Sequence, residues 1–262
     1  MIYDIFIPSY KRSKILQSHT LDLLHRYNIP KNYISIFVET SQMKDDYIKI
    51  LGTDYHIVVS DTKGIMWKRN FMEMYAKQKS LILKRNLNVF HIDDDIKGIL
   101  DYDKQLDDID LLIKLGFREC IERKLYIWGV SLFTNPFFLQ KKISTTNKYI
   151  CAGLFGMVYT GNKKPILVTV GHGEDYERSM KTFLRDGGVI RFNWIALQTK
   201  NFNKSGGIIE SLGSEEARKK ESEINMKQLA NQYKGMCKLV YKKHIGYYDL
   251  RLNSFFSLPK ME

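Results

Sequence analysis

An α/β fold is predicted: a mixed, mostly parallel sheet flanked by helices, in a single domain whose last part is a lid or helical segment. Three observations predict it. The chain has 262 residues, enough for one large α/β domain and short of two comfortable ones. Short apolar runs alternate with segments of helical period through the first hundred residues, the pattern of βαβ units. The fourth apolar run ends directly in three acids, at the strand end where a parallel sheet opens its ligand crevice.

The elements follow in order. Residues 2–8 form a short apolar strand that ends at Pro8-Ser9-Tyr10. Residues 14–27 carry Ile15, Leu16, Leu23 and Leu24 at helical spacing. Residues 33–40 (Y-I-S-I-F-V-E-T) and 55–60 (Y-H-I-V-V-S) read as the second and third strands. A helix over 64–77 precedes the fourth strand, 87–92 (L-N-V-F-H-I), which runs into Asp93-Asp94-Asp95. A polar loop after residue 100 leads to a helix over 107–124, whose Asp107 and Asp108 suit an N-terminus. Strands are expected near 126–134, 149–160 and 166–169, a helix from Glu174 to about 185, and a further strand over 189–199. Residues 200–213 hold a Ser205-Gly206-Gly207 hinge, and 214–233 form a highly charged helix.

Composition excludes several classes. Apolar residues make up 44% and charged residues 27%, which is ordinary globular usage and rules out disorder. No run approaches the roughly 18 apolar residues of a membrane span. Asp4 interrupts the first apolar stretch, so the N-terminus reads as a strand and not as a signal peptide. Cys120, Cys151 and Cys237 lie too far apart for a disulfide framework or a Cys-x-x-Cys metal site, which points to a reducing, cytoplasmic setting. The net charge is +12, spread as +4 over each of residues 1–100, 101–200 and 201–262. A field of that sign attracts polyanions: nucleic acid, an anionic membrane surface or phosphorylated small molecules. The 30 Lys against 11 Arg are equally what an A/T-rich coding sequence produces.

Four constellations are candidates for chemistry. Asp93 and Asp95, alternate residues past a buried-looking strand, suit a hard divalent cation with sites left for diphosphate oxygens. The same Asp-x-Asp spacing recurs at 101/103 and 108/110, in a loop and at a helix start, where solvated acids are the plain explanation. Ile7-Pro8-Ser9-Tyr10-Lys11-Arg12-Ser13 gives a strand end, a hydroxyl-bearing turn and a cation, which together make a phosphate cradle or an ordinary βα loop. Lys63-Gly64 through Lys68-Arg69-Asn70 sets three cations at a helix start beside the same edge. Gly171-His172-Gly173-Glu174-Asp175 opens a helix with two adjacent acids. There Asp175 or Glu174 suits a general base and His172 a metal shell, although a lone His is more often a hydrogen-bonded bystander.

In this order the pieces resemble a GT-A glycosyltransferase, a Rossmann-like nucleotide-sugar enzyme. The matching residues are Pro8-Ser9-Tyr10-Lys11-Arg12, Gly64 with Arg69-Asn70, Asp93-Asp94-Asp95 and Glu174-Asp175. The resemblance spans residues 1–200 and implies a nucleotide-sugar-binding half over 1–100 and an acceptor half over 101–200. Residues 201–262 would then be a lid and charged helix of the same domain. It implies Pro8, Ser9, Tyr10, Arg12, Glu39, Lys63, Arg69, Asp93 and Asp94 around a UDP-sugar, and Mn²⁺ or Mg²⁺ on Asp93 and Asp95. Asp175, with Glu174 beside it, would be the base. His172 or His244 would complete the metal shell, and the sequence does not choose between them. The compact size, the Gly-His-Gly-Glu-Asp turn and Lys204-Ser205-Gly206-Gly207-Ile208 further resemble the TET/JBP-associated branch, in which phage enzymes glycosylate hydroxymethylated pyrimidines in DNA. A DNA acceptor in an infected host's cytoplasm would use the positive charge and aromatics such as Trp128, Phe133, Phe137, Phe138 and Tyr159, most of which core packing also explains. Two rivals keep part of this reading: a GT-A enzyme with a glycan, lipid or protein acceptor, and a nucleic-acid-binding module without catalysis.

Overall fold

The structure, a computed structural model, describes residues 1–132, 134–199, 215–243 and 246–258. Its frame is a sheet of ten strands in the order β3-β2-β1-β4-β9-β7-β10-β5-β6, with β8 beside β10. The strands are β1 (Asp4–Pro8), β2 (Ile34–Val38), β3 (His56–Val59), β4 (Leu87–Ile92) and β5 (Ile96–Asp101), followed by β6 (Lys104–Gln105), β7 (Ile127–Ser131), β8 (Ile143–Ser144), β9 (Leu154–Tyr159) and β10 (Ile190–Thr199). β3, β2, β1 and β4 are mutually parallel. β9 runs against both β4 and β7, and β10 is again parallel to β7. β5 and β8 run against β10, so most strands point one way and the expected mixed, mostly parallel sheet is what forms.

Both faces are apolar because the side-chain period is two. Ile5 and Ile7 face one layer and Phe6 the other, and the same division separates Phe90 and Ile92 from Leu87 and Val89. One face is covered by α1 (Ser13–Leu16) and α2 (Asp22–Arg26), joined through a π turn at Gln17–Leu21, by α3 (Ser41–Leu51) and by α5 (Ile109–Arg123). The other face holds α4 (Ile65–Ile82), α6 (Glu174–Asp186) and α7 (Glu215–Gln232). Thr40 caps α3 and Asp108 caps α5, each accepting a backbone N–H three residues on.

Several expectations fail for identifiable reasons. Residues 166–169 are extended but not a strand. Their backbone groups are taken by side chains: Ile166 N donates to Glu73, Val168 exchanges two bonds with Asn70, and Thr169 N donates to Glu177. Residues 149–153 likewise precede β9 instead of belonging to it, with Ile150 N bound to Ser179 Oγ. The region around residue 100 is a strand, β5, whose Gly98 had hidden its pattern. A Cβ there would lie 2.6 Å from Gln198 Oε1. Two elements have no counterpart among the expected ones: α3 and a C-terminal hairpin, β11 (Cys237–Lys242) with β12 (Tyr247–Leu252). The charged C-terminal helix packs against α6, with Met226 and Leu229 buried alongside Met180 and Phe183. The Ser205-Gly206-Gly207 hinge, like Phe133 and His244, lies outside the described residues.

Trp128 is the largest buried side chain, and its indole lies against two glycines. A Cβ on Gly156 would stand 1.9 Å from Trp128 Nε1, and one on Gly116 2.2 Å from Cε2. Gly156→Ala is therefore expected to lower unfolding stability by at least about 1–3 kcal/mol, read as a lower thermal midpoint. An unchanged midpoint would mean that the indole has room to shift.

Candidate active site at the carboxyl edge of the sheet

The carboxyl ends of β1 and β4 are neighbours, so the Pro8 turn and the Asp triplet meet. Ser9 Oγ donates to Asp94 Oδ2 at 2.6 Å and lies 2.7 Å from Tyr47 OH. With its own proton committed, Ser9 accepts from Tyr47, whose oxygen accepts from Arg12 N at 3.0 Å. Lys68 Nζ donates to Ser9 O at 2.9 Å and stands 3.5 Å from Glu39 Oε1, which also accepts from Gly64 N. The β1 turn, α3 and the start of α4 are thereby held as one unit. Burial pushes the Tyr47 phenol up to about 12 and lowers the Lys68 ammonium, which Glu39 partly offsets.

The alternation expected in the triplet is present. The Asp93 and Asp95 side chains are 34% and 17% exposed, whereas Asp94 is turned inward at 8%. Burial pushes Asp94 up to about 7, against the Ser9 hydrogen bond and the Arg12 charge. Burial also raises Asp93 and Asp95, helped by Glu174 at Asp93 and by Asp93 at Asp95 and opposed by Arg69 and Arg12. Arg12 Nη1 stands 3.5 Å from Asp94 Oδ1 and 3.4 Å from Asp95 Oδ2. Thr20, in the π turn, donates to Asp93 O at 2.6 Å and accepts from Ile96 N at 3.0 Å, fixing both ends of the acidic turn.

Crowded, mutually repelling carboxylates with two partly accessible members fit a hard divalent cation held by few protein oxygens. Of the two histidines expected to complete the shell, His244 lies outside the described residues. Among the described residues no three His, Cys, Asp or Glu side chains gather as a metal cluster. His172 is half-buried near Arg218 and Asp249, where burial and Arg218 hold its imidazole below the ordinary histidine range.

Arg69 joins this acidic turn to α6. Its Nη2 donates to Asp93 Oδ1 at 2.6 Å and to Ala152 O at 3.1 Å, and its Nε stands 3.5 Å from Glu174 Oε1. Glu174 is buried and also pairs with Arg178 at 2.5 Å. Both guanidiniums lie over the Phe155 ring, Arg178 at 4.1 Å and Arg69 at 5.8 Å from its centroid. Arg69 is thus a buried strut, where a donor-contacting cation was expected, and Glu174 is committed to two cations. Asp175, next in sequence, is only half-buried. Its Oδ2 accepts a short hydrogen bond from Tyr149 OH and a long one from Ala152 N at 3.4 Å, and its Oδ1 accepts from Tyr176 N at 3.0 Å. The arrangement presents one oriented carboxylate beside an acidic turn.

Beneath the site, Tyr159 OH donates to Glu73 Oε2 at 2.8 Å and lies 3.0 Å from His91 Nε2. Burial holds Glu73 above the usual carboxyl range and His91 well below the histidine range. The signs oppose. Glu73 binds its proton more tightly folded than unfolded, so it costs stability as pH rises past the ordinary glutamate range. His91 is neutral when folded, so stability is lost as pH falls below the ordinary histidine range. Glu73→Gln is expected to flatten the loss that sets in above the ordinary glutamate range in urea unfolding and to leave intact the His91 loss below the ordinary histidine range; an unchanged slope above the glutamate range would refute it.

The structure brings together Pro8, Ser9, Tyr10, Arg12, Glu39, Arg69, Asp93, Asp94, Asp95, Glu174 and Asp175. Lys63 is exposed on the turn before α4. Tyr47, Thr20, Tyr149 and Arg178 were missed as site residues. Only Arg178 had a local signal, its four-residue spacing from Glu174. Trp128 and Tyr159 are core residues and not base-stacking surfaces, because burial leaves them 0% and 4% exposed.

No protein-family model matches the chain, and no curated protein matches it. Among solved structures it is similar to a mannosyltransferase from Pyrobaculum calidifontis in complex with GDP-Man and Mn²⁺. That match has a TM-score of 0.44 at 10% identity over 73% of this chain and 54% of the other, so the chain spans about half of that enzyme's length. It is also similar to a protein assigned as a nucleotide-diphospho-sugar transferase from Desulfovibrio desulfuricans (TM-score 0.42, 11% identity, 72% of this chain and 80% of the other). A mycobacterial protein matches over 95% of this chain and 83% of its own, with a TM-score of 0.48 and 10% identity. These are likenesses of chain path, and the chemistry of the site rests on its own geometry.

Proposed function

We propose that the chain is a glycosyltransferase that moves a sugar from a nucleoside-diphosphate donor, UDP in our reading, to the hydroxymethyl group of a modified pyrimidine in DNA. The observation that carries the transferase reading is the Arg69 bridge. It holds the acidic turn of β4 and the Glu174-Asp175 start of α6 in one fixed relation at the sheet edge where ligands bind.

In this reading Asp93 and Asp95 would hold Mn²⁺ or Mg²⁺, which when bound offsets charge on the leaving diphosphate. The Ser9–Arg12 turn, held in place by the Ser9 hydroxyl on Asp94, lies against Asp94 and Asp95 and supplies a backbone edge and a cation for the nucleotide. Tyr149 orients the Asp175 carboxylate, which accepts the acceptor proton as the hydroxyl oxygen forms its bond to the anomeric carbon. The bond from that carbon to the diphosphate oxygen breaks, with oxocarbenium character between the two events. Attack opposite the leaving group implies inversion. The DNA acceptor is supported by the +12 charge and by the resemblance of the Gly171–Asp175 turn.

The test incubates the protein with Mn²⁺, a panel of UDP-sugars and matched duplexes carrying cytosine, hydroxymethylcytosine or hydroxymethyluracil, followed by nucleoside mass spectrometry. A sugar mass gained only on a hydroxymethylated base is the expected result. Donor turnover with unmodified DNA throughout would overturn the acceptor and keep the transferase. Neither turnover nor donor binding would overturn both.

A further inference from the structure

Phe137 and Phe138 are 86% and 57% exposed, the most exposed pair of adjacent large apolar side chains among the described residues. Their rings meet edge to face at 5.2 Å. They are displayed by a built turn. Asn135 Oδ1 accepts from Phe137 N at 3.0 Å, Pro136 fixes the first position, and Phe138 N donates to Asn135 O at 3.0 Å. Leu139, the next residue, is buried with Leu100 and Ala196 and anchors the turn, while Gln140 N binds Asn193 O. The segment leaves β7 at Ser131. Gly129 pairs with Phe155, as His91 does on the other side of β9, so Ser131 lies at the level of Asp93 on the same sheet edge. It returns through β8 to Tyr149, the residue that holds Asp175.

The charge of this region is one-sided. From Arg123 to Gly173 the sequence carries seven cations and no acid. Lys141 and Lys142 are exposed directly beyond the aromatic turn. β8 pairs with β10 at Arg191, and Lys148 is influenced by Arg191 and Lys142 with no acid to offset them. Two presented rings backed by cations are the elements that hold unpaired nucleic-acid bases and their phosphates.

We infer that the Phe137-Phe138 turn, with Lys141, Lys142, Lys148 and Arg191 behind it, is a nucleic-acid contact that stacks on unpaired bases and holds the strand beside Asp175. The inference rests on the DNA acceptor proposed above and adds to it how the strand is held. It requires a base leaving its stack, so a locally unpaired site binds better than a fully paired one.

The test measures anisotropy of a labelled DNA duplex with a central unpaired bubble, across a salt series, using the full chain. Phe137→Ala/Phe138→Ala is expected to weaken binding at least about 10-fold, the scale of one or two lost stacking contacts. Lys141→Gln/Lys142→Gln is expected to lower the slope of log Kd against log salt by about 1.4, two phosphate contacts on a single strand. UDP-sugar affinity and the thermal midpoint should be unchanged in both. If the parent binds DNA and neither variant differs from it, this surface is wrong while the DNA acceptor stands. If the parent binds no DNA, the acceptor reading falls and takes this inference with it. Phe-dependent binding to phosphatidylserine vesicles in place of DNA would reassign the turn to a membrane surface.

Discussion

Arg69→Ala is expected to lower unfolding stability by about 3–5 kcal/mol, the cost of removing one partner from a buried ion pair. The side chain is 5% exposed and links Asp93, Glu174 and the Ala152 carbonyl. Without it, Asp93 keeps no cation at 2.6 Å and Glu174 keeps only Arg178. The urea midpoint measures the loss. Arg69→Lys retains the charge but not the planar group that bonds Asp93 and the Ala152 carbonyl while standing beside Glu174, so it should recover only part of the stability. Donor affinity should fall in both variants, because the acidic turn loses its orientation relative to α6. Arg69→Ala with parental stability and donor affinity would show that the bridge between the acidic turn and α6 is dispensable.

Asp175→Asn is expected to spare donor binding and lower turnover by at least about 100-fold, the lower end of what a general base contributes. The substitution keeps the shape and leaves one oxygen to accept from Tyr149 or Tyr176. It removes the carboxylate's capacity to take a proton. The comparison that gives the result its meaning is Glu174→Gln. That variant disturbs a buried pair with Arg69 and Arg178, so its loss of turnover should come with a loss of stability, whereas Asp175→Asn should melt like the parent. Parental turnover in Asp175→Asn would move the base elsewhere.

Legibility differed sharply between the two halves of the site. Asp93 and Asp95 could be read as the outward members of their triplet because the strand's alternation continues over the three residues past β4, a local property. The Pro8–Arg12 turn was legible for the same reason. Glu174 and Asp175 could not be told apart locally, since both open the same helix. Only the position of Arg69 and Arg178 makes one a buried ion-pair partner and leaves the other accessible. Tyr47 and Thr20 gave no signal at all. Their hydroxyls act on Ser9 and on the Asp93 carbonyl, which lie in other elements.

The sequence by itself determined β1 to β4, the helical segments over 14–27 and 64–77, and an acidic turn at the end of β4, because burial periods and turn residues act over a few positions. The tertiary structure decided the sheet order β4-β9-β7, the substitution of side chains for a strand ladder at 166–169, and the joining of Asp93 to Glu174 through Arg69. Those depend on which distant segments pack side by side. No local pattern encodes that choice, because it follows from covering both faces of one sheet while buried carboxylates such as Glu73, Asp94 and Glu174 find partners in other elements.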